Sequence, residues 1–335
     1  MAGPANSKPP FFSVVIPVYN RGSLIRETLD SVRNQTHQDF EIIAVDDGST
    51  DNSCQVIESL GDPRIRLIRQ KNAGAQAARN AGIDAANGRY VALLDSDDLF
   101  VLEKLARVRQ VLDAGDFDVV YSSFLVDRGV GRYMIRPTRP LRPAEDVGEY
   151  LFVHSGRIQT SAIVVRTGVA RKVRFLPGLR RGQDYDFALR LHHEGVRAHF
   201  IDEPLYVWND KTRANRVSLG PLRRHMEEWF EKSSPMMTQR ARIGYRASVL
   251  SYELGWSKPF AVASYLAGGV FRAGIPLRNA CQMALRAYLP APAYRAIISG
   301  LFFAFGQKEK ERGYSHAPLV KGREASRESV TLGES

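Results

Sequence analysis

Tyr90-Val91-Ala92-Leu93-Leu94-Asp95-Ser96-Asp97-Asp98 is the stretch on which the reading of this chain turns. Five apolar residues in succession have the length of a strand. An unbroken apolar run, rather than an alternating one, belongs to a parallel sheet covered on both faces. Three aspartates follow it. Carboxylates one residue apart at a strand end repel one another unless a cation intervenes, and hard oxygen ligands of this kind suit Mg2+ or Mn2+. Asp95-Ser96-Asp97 is therefore a candidate metal motif. The bland alternative is that Asp97 or Asp98 caps the next helix.

Similar apolar runs lie to either side, at residues 12–18 (FSVVIPV), 40–45 (FEIIAV), 65–68 and 117–122 (FDVVYS). Helical patterns at 23–34, 51–60, 75–86 and 102–114 separate them. This alternation predicts an α/β fold with a mostly parallel central sheet flanked by helices. Ligands of such sheets bind beyond the carboxyl ends of the strands. The segments to inspect are then Tyr19-Asn20, Asp46-Asp47-Gly48-Ser49, Asn72-Ala73-Gly74 and Asp95-Ser96-Asp97-Asp98. Asp51 reads as the N-cap of a helix, whereas Asp46 and Asp47 can accept hydrogen bonds from the sugar or base of a nucleotide. Arg79 offers a bidentate fork to a diphosphate, or is a solvated helix arginine.

Further along, residues 128–142 read as a loop or crossover and 160–166 as a strand. Residues 184–194 form an amphipathic helix, 198–201 and 205–208 are short strands, and the chain beyond 221 is helical to about 306. Of the 335 residues, 44% are hydrophobic and 25% charged, as in ordinary folded domains. The net charge of +11 attracts polyanions. Two cysteines, Cys54 and Cys281, are too few for a disulfide framework and too isolated for a zinc site. No apolar run approaches the roughly 18 residues of a spanning helix, and residues 1–10 have no signal-peptide core. A cytoplasmic location is expected, with peripheral attachment at the cytoplasmic face of the membrane as a variant of it.

The segments Val14-Val15-Ile16-Pro17-Val18-Tyr19-Asn20, Asp46-Asp47-Gly48-Ser49-Thr50-Asp51, Asn72-Ala73-Gly74, Ala78-Arg79-Asn80-Ala81-Gly82 and Leu94-Asp95-Ser96-Asp97-Asp98 occur in that order. Together they resemble the family 2 glycosyltransferases, inverting enzymes with the Rossmann-like GT-A fold. The resemblance covers about residues 11–218. It implies a GT-A catalytic domain (11–220), while composition and helical patterning set off a flexible N-terminus (1–10), a basic helical extension (221–306) and a disordered tail (307–335). Pro17, Tyr19 and Asp47 would hold the nucleotide base, with Asn20, Asp46, Asn72 and Arg79 in the same donor site. Asp95 would lie near the ribose or the metal. Asp97 would be the leading ligand of Mn2+ or Mg2+, with Asp98 as its rival. The donor implied is a nucleotide diphosphate-sugar, most often a UDP-sugar, and the acceptor a glycan or a lipid-linked sugar, as in polysaccharide biosynthesis of the cell envelope.

Inverting transfer needs a base for the acceptor hydroxyl. The family's base segment matches Gly182-Gln183-Asp184-Tyr185-Asp186-Phe187, with Gln183 in place of the common glutamate, so only Asp184 carries over. Its residue-level alternative is an N-cap, and Asp186 reads as a first-turn acid favoured by the helix dipole. Residues 208–218 resemble the family's closing loop but carry no histidine, and Arg213 and Arg216 receive no role.

From Lys232 to Gly306 nine basic residues accompany a single acid, Glu253, with aromatic residues interleaved. That composition fits an interfacial anchor for an anionic membrane, or a helical appendage whose arginines are merely solvated. No nucleic-acid module is present. A sugar nucleotidyltransferase would carry a glycine-rich basic loop after the first strand, which Tyr19-Asn20-Arg21-Gly22 is not. A non-enzymatic sugar-nucleotide binder would lack the aspartate motif or the base.

Overall fold

A computed structural model describes residues 8–129, 133–211, 223–290, 292–294 and 296–297. The strands are β1 (Phe12–Val18), β2 (Phe40–Asp46), β3 (Ile65–Arg69), β4 (Tyr90–Leu93), β5 (Leu99–Phe100), β6 (Val119–Asp127), β7 (Tyr133–Arg136), β8 (Val164–Arg166) and β9 (Ala198–Asn209). They form one sheet in the order β3-β2-β1-β4-β8-β6-β9-β5, with β7 paired to β6. The ladders β1–β2, β1–β4, β2–β3 and β6–β9 are parallel. Strand β8 runs antiparallel to both β4 and β6, so β1, β2, β3, β4, β6 and β9 all point the same way. The sheet is mixed but mostly parallel, as the apolar runs predict.

Helices α1 (Ile25–Arg33), α2 (Ser53–Glu58), α3 (Ala75–Ala85) and α4 (Lys104–Ala114) alternate with the first strands. Then come α5 (Val147–Phe152), α6 (Thr167–Val173) and α7 (Gln183–His193). A C-terminal group follows, made of α8 (Arg223–Ser233), α9 (Gln239–Tyr245), α10 (Ser251–Leu254), α11 (Pro259–Ala273) and α12 (Leu277–Tyr288). All seven residues of β1 and all four of β4 are buried, because helices cover both faces of the sheet centre. The pairing of β4 with β1 stops at Val15, so Pro17 lies past the shared ladder and its missing N–H breaks no bond there. No described helix is long and apolar enough to cross a membrane.

Several expectations need correction. The strand expected at 160–166 is a 3-10 turn at Thr160–Ala162 followed by only three strand residues, Val164–Arg166. The turn arises where Ile163 and Ala162 close hydrogen bonds back to Thr160 and Gln159. The two short strands expected near 198 and 205 are one strand, β9, whose register against β6 shifts near Ser123. The bulge lets it run past Pro204. Residues 133–136, expected in a loop, pair with β6 as β7. Residues 212–222, with the expected closing loop at Arg213 and Arg216, lie outside the described residues, as do 1–7 and the expected tail at 307–335.

Candidate active site

Strands β2, β1 and β4 are neighbours and run parallel, so their carboxyl ends bring Asp47, Tyr19 and Asp95 to one rim. A cleft of ≈ 600 Å³ opens there, within the range of small-molecule sites. It is lined by Pro17 and Val18 at the end of β1, Tyr19 and Arg21 after it, Asp47 after β2, and Asn72 through Gln76 and Arg79 at α3. Asp95 through Asp98 after β4, Gln159 through Ser161, Arg180 through Asp184, and Trp208 with Asn209 complete it. The carboxylates of Asp47, Asp97 and Asp184 thus share one cleft.

Tyr19 is 46% exposed on the rim, as a ring that stacks on a planar ligand has to be. Asp47 is buried, and its oxygens accept from Gln70 Nε2 (2.7 Å) and from the backbone amides of Ala73 (2.8 Å) and Gly74 (2.8 Å). It therefore fastens the Asn72-Ala73-Gly74 loop to the end of β2. Asp46 and Asn20 do not line the cleft. Strand alternation sends Asp46 the other way, where it accepts from the Ser49 amide (3.2 Å). Asn20 sits at φ 50° and its Oδ1 accepts from the Thr50 amide (2.8 Å), clipping the loop after β1 to the loop after β2.

Helix α4 begins at Lys104, with Glu103 before it, so neither Asp97 nor Asp98 caps it. Asp98 turns inward. Its carboxylate accepts from Ser161 Oγ (2.6 Å) and from the Asn209 amide (3.1 Å), joining β4 to the turn before β8 and to the end of β9. Burial, then the charges of Asp97 and Asp95, hold its carboxyl well above the usual carboxylate range, against the opposing bonds from Ser161 and Asn209. Ser161 Oγ also accepts from the Asp95 amide (3.1 Å). Asp97 lies 3.7 Å from the Arg21 guanidinium, its side chain 31% exposed.

Arg79 is buried on α3 and donates to both Asp95 and Gln183, with its guanidinium 5.1 Å from the Phe175 ring centroid. Gln183 in turn donates to Gln76 Oε1 (3.1 Å) and to the Leu179 carbonyl (2.8 Å). Gly182 precedes α7 at φ 74°, in the left-handed region, and a Cβ there would stand 3.1 Å from the Tyr185 ring. This turn brings Asp184 into the first turn of α7 on the cleft side. Its Oδ1 accepts from the Tyr185 amide (3.0 Å). Burial raises the Asp184 carboxyl to about 6; the negative charge of Asp95 adds to this, while the Tyr185 amide and Arg157 oppose it. Asp186 faces the opposite side, buried, accepting from Trp229 Nε1 (3.0 Å) and pairing with Arg190.

The donor set fits a hard divalent cation in one particular way. Among the described residues no cluster of three or more metal-ligating side chains exists. The cleft offers the partly exposed carboxylates of Asp95 and Asp97, while both oxygens of Asp98 are engaged in holding the fold. One or two carboxylates, with phosphate oxygens completing the shell, are what Mg2+ and its analogues take in nucleotide sites.

Sequence reading missed Arg21, Gln76, Ser161 and Asn209. The first two carry no signal beyond adjacency to a strand end or glycine. Ser161 and Asn209 reach the aspartates only through packing across 63 and 111 residues of chain, which no local pattern records.

A sequence model described as glycosyl transferase family 2 matches residues 13–173. The amylovoran biosynthesis glycosyltransferase AmsB of Erwinia amylovora is 32% identical over 246 residues, 70% of this chain and 82% of that protein. The chain belongs to the family 2 glycosyltransferases and is a transferase. Its fold is that of GT-A neighbours. Residues 1–349 of S. aureus TarS, solved in complex with UDP-GlcNAc, superpose with a TM-score of 0.57 at 18% identity, over 86% of this chain and 92% of that one. The mannosyltransferase PcManGT of Pyrobaculum calidifontis, in complex with GDP-Man and Mn2+, gives 0.54 at 19% identity, over 88% and 84%.

Proposed function

We propose that this glycosyltransferase moves a sugar from a UDP-sugar to a hydroxyl of a glycan or lipid-linked acceptor, with inversion at the anomeric carbon. Asp184 takes the acceptor proton as the new C–O bond forms and the bond from the anomeric carbon to the diphosphate oxygen breaks, and UDP leaves. The observation that carries this reading is the Asp184 carboxyl, raised to about 6 in the same cleft as Asp95 and Asp97. A base poised just below neutral pH is ionised in the resting enzyme and still basic enough to share a proton in the transition state.

Asp95 and Asp97 would hold Mn2+ or Mg2+, which supplies charge stabilisation to a leaving diphosphate when bound. Tyr19 and Pro17 would face the uracil and Asn72 its nearby sugar, while Asp47 acts by fixing the 72–74 loop. Arg79 keeps Asp95 oriented. Neighbours of this fold take both kinds of donor, UDP-GlcNAc in the TarS complex and GDP-Man in the PcManGT complex, and the uridine assignment follows the first. A role in polysaccharide biosynthesis of the cell envelope is part of this proposal, and the relative AmsB is named for amylovoran biosynthesis. The enzyme would work at the cytoplasmic face of a membrane, held there peripherally by its C-terminal helices. Residues 11–220 would be the catalytic domain and 221–306 the extension.

Incubation with a panel of UDP-, GDP- and dTDP-sugars and Mn2+ tests the reading. Slow UDP release from a UDP-sugar without acceptor, abolished in Asp184→Asn at unchanged UDP affinity, is the expected result. Full release in Asp184→Asn would remove the base, and release from GDP-sugars alone would overturn the uridine assignment.

A further inference from the structure

We propose that the outward face of α11, with Trp256 before it and Leu277 after it, is a docking surface for an anionic lipid bilayer. From Pro259 to Phe271 the helix carries no charged side chain. Phe260 (90% exposed), Ala263, Ala267 and Phe271 (86%) are exposed at spacings of three, four and four, which places them on one stripe, with the uncharged Ser264 exposed beside them. Val262, Gly269 and Ala273 are buried on the opposite side. A Cβ on Gly269 would stand 2.9 Å from Ala247 and from Ile275, so the inner face is packed close and the orientation of the helix is fixed. The outer stripe is about 16 Å long by the rise of a helix, with a phenylalanine at each end.

Trp256 and Leu277, which flank the helix in the chain, are exposed as well, 73% and 69%. Trp256 is held rather than swinging, since its indole N–H donates to the Tyr288 carbonyl (2.9 Å) and its ring lies 4.8 Å from that of Tyr288. An indole whose polar edge is satisfied while its ring stays in water suits the headgroup boundary. The rim is cationic. Lys258, Arg272 and Arg278 are exposed at the two ends of the stripe, and from Leu254 to Leu289 no acid occurs. Apolar stripe, aromatic ends and basic rim are the features an interfacial helix presents to anionic headgroups. A second copy fits worse, because a two-fold pairing of the stripe would bring the Lys258 end of one helix against the Arg272 end of the other.

This deepens the peripheral location proposed above, and its test uses no sugar donor, so it can fail while the transferase reading stands. The full chain is floated with vesicles of phosphatidylcholine, with and without phosphatidylglycerol. Flotation is expected only with phosphatidylglycerol. It should fall about ten-fold in Phe260→Ser/Phe271→Ser and weaken in Arg272→Glu/Arg278→Glu, at unchanged thermal melting. Both pairs are exposed, so neither should unfold the chain. A wild type that stays at the bottom, or a phenylalanine double variant that floats as well as wild type, overturns the proposal. So does light scattering that finds a wild-type dimer made monomeric by the phenylalanine substitutions, since the stripe would then join two copies.

Discussion

Arg79 on α3 donates to Asp95 at the end of β4 and to Gln183 at the start of α7, so one buried guanidinium ties together the segments that carry Asp97 and Asp184. Its two arms need a planar fork, which lysine does not have. Arg79→Lys should therefore cut turnover about 10- to 100-fold and destabilise the fold by about 1–3 kcal/mol, less than a fully buried pair because Asp95 is partly exposed. Steady-state rates with denaturant titration measure both. Wild-type turnover in Arg79→Lys would show that the bridge does not set the geometry.

Gln183 adds a second expectation. It contributes no charge beside Asp184, where the family's common glutamate would. Gln183→Glu should leave the bond from Arg79 in place and add a negative charge close to Asp184, pushing that carboxyl higher still. The acid limb of the pH–rate profile should move to higher pH. An unmoved limb would mean that the limb does not report Asp184.

The Asp184 carboxyl, raised to about 6 by burial first, has consequences for activity and stability alike. Turnover should fall with unit slope below about pH 6 as the base is protonated. Stability runs the other way. Below the ordinary value of 3.8 both the folded and unfolded states hold the proton, and no penalty exists. As pH rises through 3.8 to about 6 the unfolded chain ionises first, so the folded state loses ground. The full penalty is about 3 kcal/mol, reduced to about 2 by the partial exposure of the group. Asp184→Asn should be inactive yet more stable at pH 7 by about that amount, with the gain vanishing near pH 3.5. Equal melting of variant and wild type at pH 7 would count against a desolvated base.

Asp97 and Asp98 make opposite predictions. Asp98 is buried and held by Ser161 and Asn209, whereas Asp97 is partly exposed in the cleft near Arg21. Asp97→Ala should abolish the Mn2+-dependent gain in UDP affinity measured by calorimetry. Asp98→Asn preserves size and one acceptor oxygen and should keep that gain, with any cost appearing in stability. The reverse pattern would make Asp98 the ligand.

Most of the sheet and one wall of the cleft were legible because their signals are local. An unbroken apolar run such as Val91–Leu94 announces a buried parallel strand, and polar residues directly after it announce the rim. Period and composition do not say which of two adjacent aspartates turns inward. Asp46 differs from Asp47, and Asp98 from Asp97, through partners supplied by distant segments. The antiparallel strand β7 was missed and β8 was read too long for a related reason. They are four and three residues long, and what makes them strands is pairing with β6 and β4.

Lys104 illustrates a feature that only packing reveals. Its Nζ is fully buried, donates to the carbonyls of Ser161 (3.1 Å) and Ala162 (3.3 Å), and lies 4.8 Å from the Phe100 ring and 5.5 Å from that of Tyr206. Burial alone pulls its pKa down to about 7. An unfolded chain keeps this proton up to about 10.5, whereas the folded chain releases it near 7, so stability should rise with pH across that window. The contribution is about 3–5 kcal/mol. Lys104→Met removes the titration but leaves two carbonyls without a donor, one of them on Ser161, whose hydroxyl links Asp95 to Asp98. The variant should therefore lose most of the wild-type gain in stability between pH 6 and pH 9, and bind UDP with Mn2+ more weakly at both. Denaturant titrations at the two pH values separate these effects. If the variant keeps the same gain, the buried amine is not the group that titrates, and the support it gives to Ser161 is steric rather than electrostatic.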